Sequence, residues 1–400
     1  MSTPATLTRR HEWTLLLTLT VMNFTHIMDF MVMMPLGPQF MRLFHVSPSQ
    51  FALLVSIYTF AAAGVGFLAA FIVDRFDRKH TLLMVYAGFG LSTLLCALAP
   101  SYEWLLLARA IAGGFGGVMG ATLMAIVGDV VPHERRGTAM GTVMAAFSLS
   151  AVAGVPTGLL LAEWFGWQGP FLFLGCLSVP LWLLAHRIVP SLRGHLVPHR
   201  QRNPWQQIRF MYSHPVHLRA FALMASLMFA GFSVIPFISP YMVANAGLSE
   251  IDLKYIYLCG GLATLISSRL IGWLADRVGK PRMFITVALA SMPAILVLTQ
   301  WSHAPLAWTL VVTTIFMVFV SGRLIPAMAI VTGAVEPQHR GSFMSFNSAT
   351  QQLASGAASF GAGMLIHKTA DGTLAGYDLV GYGACGFTLL CIWLAQGFRK

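Results

Sequence analysis

Asp29 is the residue of this sequence whose chemistry fits its surroundings least. It lies inside a long apolar block, whereas the other thirteen of the fourteen acidic residues map to loops or to the ends of such blocks. A charge in the hydrocarbon of a bilayer costs at least a few kcal/mol, so such residues usually face a cavity and have a partner. Burial favours the neutral form of a carboxyl group, and a nearby cation favours its ionised form. A carboxyl group whose solvation alternates between two conformations can therefore carry a proton. A static buried ion pair is the alternative interpretation.

Two further ionisable residues lie within apolar blocks and bear on Asp29. His26 precedes it by one helical turn and shares its helix face, and it is the only one of thirteen histidines well inside a block. A pKa of about 6.5 for free histidine suits a proton relay; a hydrogen bond to a neighbouring backbone carbonyl is the alternative. Arg109 precedes a glycine-rich run that lets its helix approach neighbouring helices closely. The run comprises Gly113, Gly114, Gly116, Gly117 and Gly120.

The composition identifies the apolar blocks as membrane spans. Of the 400 residues, 56% are hydrophobic and 10% are charged, whereas a soluble domain carries about 25% charged residues. At about 20 residues per span, the sequence predicts twelve transmembrane helices in an all-α membrane protein. They cover residues 13–36, 50–73, 80–99, 103–128, 138–162, 168–189, 217–243, 252–275, 281–300, 305–332, 342–366 and 376–396.

The positive charge is distributed by topology. If both termini are cytoplasmic, the inner loops and tails hold 19 of the 25 Lys and Arg residues, as the positive-inside rule requires. The net charge of +11 therefore indicates orientation in a bacterial-type inner (plasma) membrane, and not a nucleic-acid partner. A basic, polar stretch near the midpoint of the chain indicates a cytoplasmic linker. We expect a six-helix bundle at 1–189, the linker at 190–216 and a second bundle at 217–400.

Two pairs of short loop sequences recur at nearly the same offset. DRFDRK at residues 74–79 matches the end of GWLADRVGK at 272–280, and PHERRG at 132–137 matches EPQHRG at 336–341. The aspartates of the first pair are 202 residues apart and the Arg-Gly steps of the second pair 204. An offset of half the chain indicates duplication of a six-helix unit, so we expect two pseudo-symmetric bundles.

At these loops the chain resembles the major facilitator superfamily, whose signature after the second helix is G-x-L-A-D-R-x-G-R-K. The second copy fits nearly throughout, whereas Ala70 and Asp77 replace the two glycines of the first copy. Within the superfamily the chain looks most like the twelve-helix drug and metabolite proton antiporters. The residues that carry this likeness are Asp29, Pro35-Leu36-Gly37, Arg109, Gly113 and Gly154-Val155-Pro156-Thr157-Gly158, where proline comes one residue later than in the antiporter pattern.

The resemblance implies roles for several charged residues. Arg109 would pair with Asp29 and hold it ionised until a proton or substrate competes; backbone carbonyls are the alternative partners of Arg109. Charged residues at the loops after the second and eighth helices, together with Asp129 at the end of the fourth helix, would latch the bundles on the cytoplasmic side, or else only anchor topology. These gate residues are Asp74, Arg75, Arg78, Asp129, Asp276, Arg277 and Lys280.

The substrate pocket is predicted from polar, aromatic and methionine side chains within the spans. A pocket lined by methionine and aromatic side chains suits apolar ligands of variable shape. Most methionine and aromatic residues of membrane helices, however, simply face lipid or fill gaps. Arg323 could hold an anionic substrate group. The candidate set is Asn23, Met33, Phe229, Phe232, Tyr241, Arg323, Asn347 and Gln351.

We found no sequence motif of an ATPase, a metalloprotease or a serine hydrolase, so we expect no enzyme, no cofactor and no metal. The expected partners are a small-molecule substrate, protons and the lipid bilayer, and the expected state is a monomer. The sequence favours a proton-coupled exporter of a small amphiphilic compound, drug or metabolite that works by alternating access. A uniporter or importer of a sugar, amino acid or lysolipid, with Asp29 and Arg109 only structural, is the first alternative. A non-transporting receptor or scaffold is the second.

Overall fold

The computed structural model describes residues 9–69, 71–132, 135–193, 204–336 and 340–398, and long helices dominate this part of the chain. The helices of the first half are α1 (Arg9–Val32), α2 (Gly37–Leu43), α3 (Pro48–Ala69), α4 (Arg78–Ala97), α5 (Tyr102–Val130), α6 (Arg136–Leu149), α7 (Val155–Phe165) and α8 (Gln168–Ile188). Those of the second half are α9 (Pro204–Ser213), α10 (Pro215–Phe232), α11 (Ile238–Ala244), α12 (Leu253–Val278), α13 (Lys280–Thr299), α14 (Leu306–Gly322), α15 (Leu324–Gly333), α16 (Arg340–Leu365) and α17 (Tyr377–Gln396).

The predicted spans correspond to these helices. Within the described residues, eleven helical segments are long and apolar enough to cross a membrane. The predicted span at 342–366 forms α16, which is long enough at 26 residues but is not among the eleven, since Asn347, Gln351 and Gln352 interrupt its apolar character. The chain is therefore an all-α membrane protein. The strands found within the described ranges form a short hairpin, β1 (His367–Lys368) and β2 (Leu374–Ala375).

Contacts between residues divide the chain into two compact units. Unit 1 comprises Met1–Val32 and Ala61–Gln201, and unit 2 comprises Met33–Phe60 and Arg202–Lys400. This division differs from the predicted bundles, because α2 and the first half of α3 pack with the second half of the chain. Phe51, for example, meets Phe237 edge-on at a ring-centroid distance of 5.9 Å. Residues 194–203 of the predicted linker lie outside the described residues, so the domain boundaries stay a prediction.

The helices of the two units pack in matching pairs. In unit 1, α1 packs against α6 and α8, and α4 packs against α8. In unit 2, α10 packs against α16 and α17, and α13 packs against α17. In both units, the first span of the half contacts the fifth and the sixth span, and the third span contacts the sixth. The internal repeat that the loop sequences predict is therefore present in the helix packing.

Proline residues account for the breaks within spans. The span that contains α6 and α7 passes through a π-helical turn at Ser150–Gly154, which ends two residues before Pro156. Proline has no N–H to donate to the preceding turn, and π turns accommodate such an interruption. Similarly, a 3₁₀ turn at Ile235–Phe237 separates α10 from α11 and contains Pro236.

Glycine permits the closest approach between α3 and α5. A Cβ atom at Gly117 would lie 2.2 Å from the backbone oxygen of Ala62, and one at Gly66 would lie 2.9 Å from the backbone oxygen of Gly117. A Cβ atom does not approach a backbone oxygen this closely, so any larger residue at either position would force the helices apart. By contrast, a Cβ atom at Gly120, also in α5, meets nothing within 4 Å.

Asp77 anchors the start of α4 to the end of α8. Its carboxylate accepts hydrogen bonds from the backbone N–H of Lys79 at 2.9 Å and of Leu192 at 3.0 Å, from the Ser191 hydroxyl, and from Nε of Arg193 at 3.3 Å. Partial burial opposes ionisation, but these hydrogen bonds together lower the pKa of Asp77 to about 2. The residue that replaces the second motif glycine thus caps a helix.

We predict that Gly117→Ala destabilises the protein whereas Gly120→Ala does not. Overpacking costs about 1–3 kcal/mol, while alanine in an open helical position gains up to about 1 kcal/mol over glycine. Thermal unfolding of the two variants in detergent measures the difference. Equal melting temperatures for the two variants would contradict the close approach of α3 and α5.

We predict that Asp77→Asn lowers stability by about 1 kcal/mol, the usual contribution of a helix cap. Because the folded pKa of about 2 lies below the ordinary value of 3.8, the contribution of the carboxylate is full above about pH 4 and is lost as the pH falls toward 2. The gap in melting temperature between wild type and variant should therefore shrink over that range. Asp371→Asn, at an exposed position of the hairpin, serves as the control and should show no such trend.

Candidate functional site

The central feature of unit 1 is an ion pair between α1 and α5. Nη1 of Arg109 lies 2.7 Å from Oδ2 of Asp29, and both side chains are fully buried, with 0% exposure. The same nitrogen also approaches the backbone oxygen of Asp29 at 3.4 Å. Arg109 thus holds both the side chain and the main chain of α1.

A hydroxyl group from a third helix completes the surroundings of the carboxylate. Thr93 of α4 donates a hydrogen bond from Oγ1 to Oδ1 of Asp29 at 3.4 Å. The two carboxylate oxygens of Asp29 therefore have different partners, a guanidinium group and a neutral hydroxyl. Thr93 was not among the predicted site residues, although a threonine within an apolar span was a signal for it.

His26 lies in the same helix as Asp29 and against the same neighbouring helix. Its ring meets the ring of Phe89 edge-on, with centroids 5.7 Å apart. Phe89 in turn stacks on Tyr86, whose hydroxyl is 3.0 Å from Oγ1 of Thr25. The surroundings of His26 are therefore aromatic on the α4 side.

Small residues of α7 and the π turn bring a fourth segment against α1. A Cβ atom at Gly158 would lie 2.5 Å from Val32, and one at Gly154 would lie 3.3 Å from Met28. The Ser150 hydroxyl donates to the backbone oxygen of Phe24 at 3.3 Å. The turn of α1 that carries Asp29 is thus enclosed by α4, α5 and the π turn, which explains why Asp29 has no exposed surface.

This geometry fixes what the pair can do chemically. Removing one partner from a buried ion pair leaves an uncompensated charge and costs about 3–5 kcal/mol. A proton that binds Asp29 has the same effect, because it neutralises the carboxylate and leaves Arg109 without its anion. Protonation of Asp29 therefore favours any conformation in which Arg109 finds another partner or water.

One predicted gate contact lies at the end of α5. Nε of Arg78 lies 3.4 Å from Oδ2 of Asp129, with the two side chains 12% and 37% exposed. This contact joins the start of α4 to the end of α5. Arg75 is exposed, and the side chain of Asp74 lies outside the described residues.

The loop of unit 2 at residues 276–280, which repeats the loop at residues 74–79, has different contacts. Asp276, Arg277 and Lys280 are all exposed, and the guanidinium of Arg277 lies over the Trp273 ring at 3.9 Å from its centroid. Among the described residues, no ion pair links these three side chains to an oppositely charged partner. Their proposed role at a gate stays a prediction.

Most of the predicted pocket residues have packing partners. The Asn23 amide donates to the backbone oxygen of Val143 at 3.1 Å, Phe229 stacks on Phe387 at 4.8 Å, and Tyr241 packs on Tyr377 at 4.6 Å. Of the others, three are fully buried, namely Met33, Asn347 and Arg323. Two are partly buried, namely Phe232 and Gln351.

Besides the contact of Arg193 with Asp77, two further ion pairs among the described residues were not predicted from the sequence. Arg135 binds Glu12 at 3.0 Å within unit 1, and Arg42 of α2 binds Glu250, which precedes α12, within unit 2. The opposite charges lie 123 and 208 residues apart in sequence, so no local pattern links them. Among the described residues, no group of three histidine, cysteine or acidic side chains could hold a metal ion.

Comparison with known proteins finds transporters that are similar to this chain over most of its length. The MFS-type transporter YceJ of Bacillus subtilis strain 168, which is named as uncharacterised, is 27% identical over 356 residues, covering 88% of this chain and 89% of YceJ. A probable sugar efflux transporter of Pasteurella multocida strain Pm70 is 22% identical over 273 residues, covering 68% of this chain and 66% of that protein.

Solved structures share the fold. A bacterial homologue of the human lysosomal transporter Spinster, in an inward-facing and occupied conformation, superposes with a TM-score of 0.75 at 16% identity and covers 98% of this chain and 97% of its own. Its unoccupied inward-facing form gives a TM-score of 0.73 at 18% identity, with the same coverage. The sequence pattern of the Major Facilitator Superfamily matches residues 19–249 and 220–400. The chain therefore belongs to the major facilitator superfamily, as a multi-pass membrane protein of a transporter family.

Proposed function

We propose that this protein is a secondary active transporter that exports a small amphiphilic compound, drug or metabolite in exchange for protons. The observation that carries the proposal is the fully buried pair of Asp29 and Arg109. An ionisable carboxyl group within a membrane span is expensive to keep, and a static fold could replace such a pair with apolar residues at no loss of stability. A proton-carrying role accounts for its presence.

In the proposed cycle, a proton competes with Arg109 for Asp29. Protonation weakens the contact at 2.7 Å and favours one facing state, while substrate favours the other. His26, one turn earlier on the same helix, is positioned to pass the proton along that face. The membrane potential supplies about 2.3 kcal/mol per proton per 100 mV, comparable with the cost of separating the pair.

The two facing states also need contacts that differ between them. Arg78 and Asp129 form a partly exposed ion pair at the end that the positive-inside rule assigns to the cytoplasm. We propose that this contact holds the loop at residues 74–79 in the conformation that closes the cytoplasmic side. The relative from Pasteurella multocida is named for efflux, which agrees with the direction of transport that we propose.

The rival function is a uniporter or importer in which Asp29 and Arg109 only stabilise the fold. In that function the buried pair is a structural contact between α1 and α5 and never changes its protonation state. The two functions differ in one observable quantity, the movement of protons with substrate.

We predict that Asp29→Asn abolishes proton movement and also lowers the melting temperature, because it leaves the buried charge of Arg109 without its anion; only variant protein that is monodisperse in detergent is reconstituted. Asparagine keeps the size of aspartate but cannot carry the proton. Proteoliposomes that contain the variant and an internal pH-sensitive dye measure proton movement on addition of substrate. Glu12→Gln is the matched control, because Glu12 is the other carboxylate of α1 and also forms an ion pair. It should keep proton movement.

Proton movement of wild-type size in Asp29→Asn would remove Asp29 from the mechanism. Substrate flux without proton movement in the wild-type protein would instead establish the rival function. The two results are distinguishable in the same vesicles, because substrate and proton are measured separately.

We also predict that Arg78→Asp and Asp129→Arg each slow transport and that the double variant recovers. A partly exposed ion pair contributes up to about 1 kcal/mol, so each loss should be up to about fivefold, with some added repulsion in the single variants. Initial rates of substrate efflux give the double-mutant cycle. Arg187→Gln, at an exposed arginine of the last turn of α8, should be neutral. Additive losses in the double variant would contradict the contact.

A further inference from the structure

Arg323 of unit 2 is a buried cation at a break in a membrane span. It lies between α14, which ends at Gly322, and α15, which begins at Leu324, and it is 1% exposed. Such a group is expensive within a membrane and normally has a partner of opposite charge.

One nitrogen of the guanidinium is engaged by neutral side chains. Nη1 donates to Oγ1 of Thr388 at 2.9 Å and to Oγ of Ser291 at 3.4 Å. Nε and Nη2 have no hydrogen-bond partner among the described residues, and no described carboxylate forms an ion pair with Arg323. These two nitrogens form one side of the planar guanidinium fork, the side that binds a carboxylate through two parallel hydrogen bonds.

The backbone of α10 passes directly beside this open side at a glycine. A Cβ atom at Gly231 would lie 3.7 Å from Nη2 of Arg323, with Ile235 at 3.7 Å and Val320 at 3.9 Å. Gly231 follows Asp29 by 202 residues, the same offset that separates the repeated loop aspartates. Gly231 thus occupies the position that Asp29 has in the first repeat, although Arg323 follows Arg109 by 214 residues and is therefore not its counterpart by the same offset.

The interruption at Arg323 is local. The N–H of Arg323 bonds the backbone oxygen of Phe319, and the backbone oxygen of Arg323 accepts from the N–H of Ala327, both at 3.3 Å. Pro326, three residues later, has no N–H to donate. The guanidinium group, and not a free helix end, is therefore what attracts an anion here.

We propose that the substrate carries a carboxylate and that this group binds the Nε and Nη2 side of Arg323, where the chain itself supplies no anion. This rests on the proposed transport function. The neighbouring Ile235 and Val320 are apolar, so the ligand is an amphiphile with an aliphatic or aromatic body. Because Arg323 is nearly fully buried, the anion enters when α10 and α14 separate during the transport cycle.

A test that needs no ligand compares Gly231→Asp with Gly231→Asn. All three neighbours of the added Cβ lie at ordinary contact distances, the two side chains have nearly the same size, and only aspartate brings a charge. The expected result is a higher melting temperature for Gly231→Asp than for Gly231→Asn, since the aspartate supplies the missing anion. A lower melting temperature for Gly231→Asp would mean that Arg323 is already neutralised, and would overturn the proposal.

The second test measures binding of octanoate, its methyl ester and octylamine to purified protein without a pH gradient. Wild type and Gly231→Asn should prefer octanoate, and Gly231→Asp should bind it at least about tenfold more weakly. Arg323→Lys should also weaken octanoate, because lysine lacks the two-point fork. Equal affinities for the three probes in wild type, or unchanged octanoate binding in Gly231→Asp, would overturn the proposal. Proton coupling is judged separately in vesicles, so failure of this inference leaves the proposed exchange standing, and the reverse also holds.

Discussion

The need to compensate buried charge governs this molecule. Within a membrane span an isolated ion is unstable, so each charged side chain must find an opposite charge or a set of dipoles. The first repeat solves this within the chain, through Asp29, Arg109 and the Thr93 hydroxyl. In the part of the second repeat that the structure describes, Arg323 donates to the hydroxyl oxygens of Thr388 and Ser291 and to no carboxylate. The two halves share a helix arrangement but differ in the completeness of this compensation, and the difference is where we expect proton and substrate to act.

Close backbone packing makes the first compensation specific. Glycine at 117 lets α5 approach α3, and glycines at 154 and 158 let the π turn and α7 approach the part of α1 that carries Asp29. Such contacts exclude water, and the strength of an ion pair rises as the local dielectric falls. Packed elements also have few intermediate arrangements. A change in the charge of Asp29 is therefore expected to move whole helices, not only side chains.

The sequence was sufficient for the spans and for their duplication, because hydropathy and loop repeats are local properties. The predicted span at 103–128, for example, lies within α5, Tyr102–Val130. The role of Asp77 could not be predicted, because its partners Ser191, Leu192 and Arg193 lie more than 110 residues away. Similarly, no pattern indicated that the Asn23 amide would bind the backbone of Val143. A polar residue in a span signals that a partner exists, but only the packing of helices determines which one.

The sign of the substrate charge constrains how exchange can work. A cationic substrate could compete directly with the proton at Asp29, whereas a carboxylate cannot, since protonation of Asp29 leaves Arg109 more attractive to an anion. Exchange then requires that the two ligands favour opposite facing states through helix packing. When one proton moves inward and one monoanion moves outward, two charges move with the membrane potential. The potential then supplies about 4.6 kcal/mol per 100 mV for each exchange. With a negative cell interior, both movements are downhill electrically. An anion bound at Arg323 is therefore consistent with export in the proposed orientation and would be harder to reconcile with import.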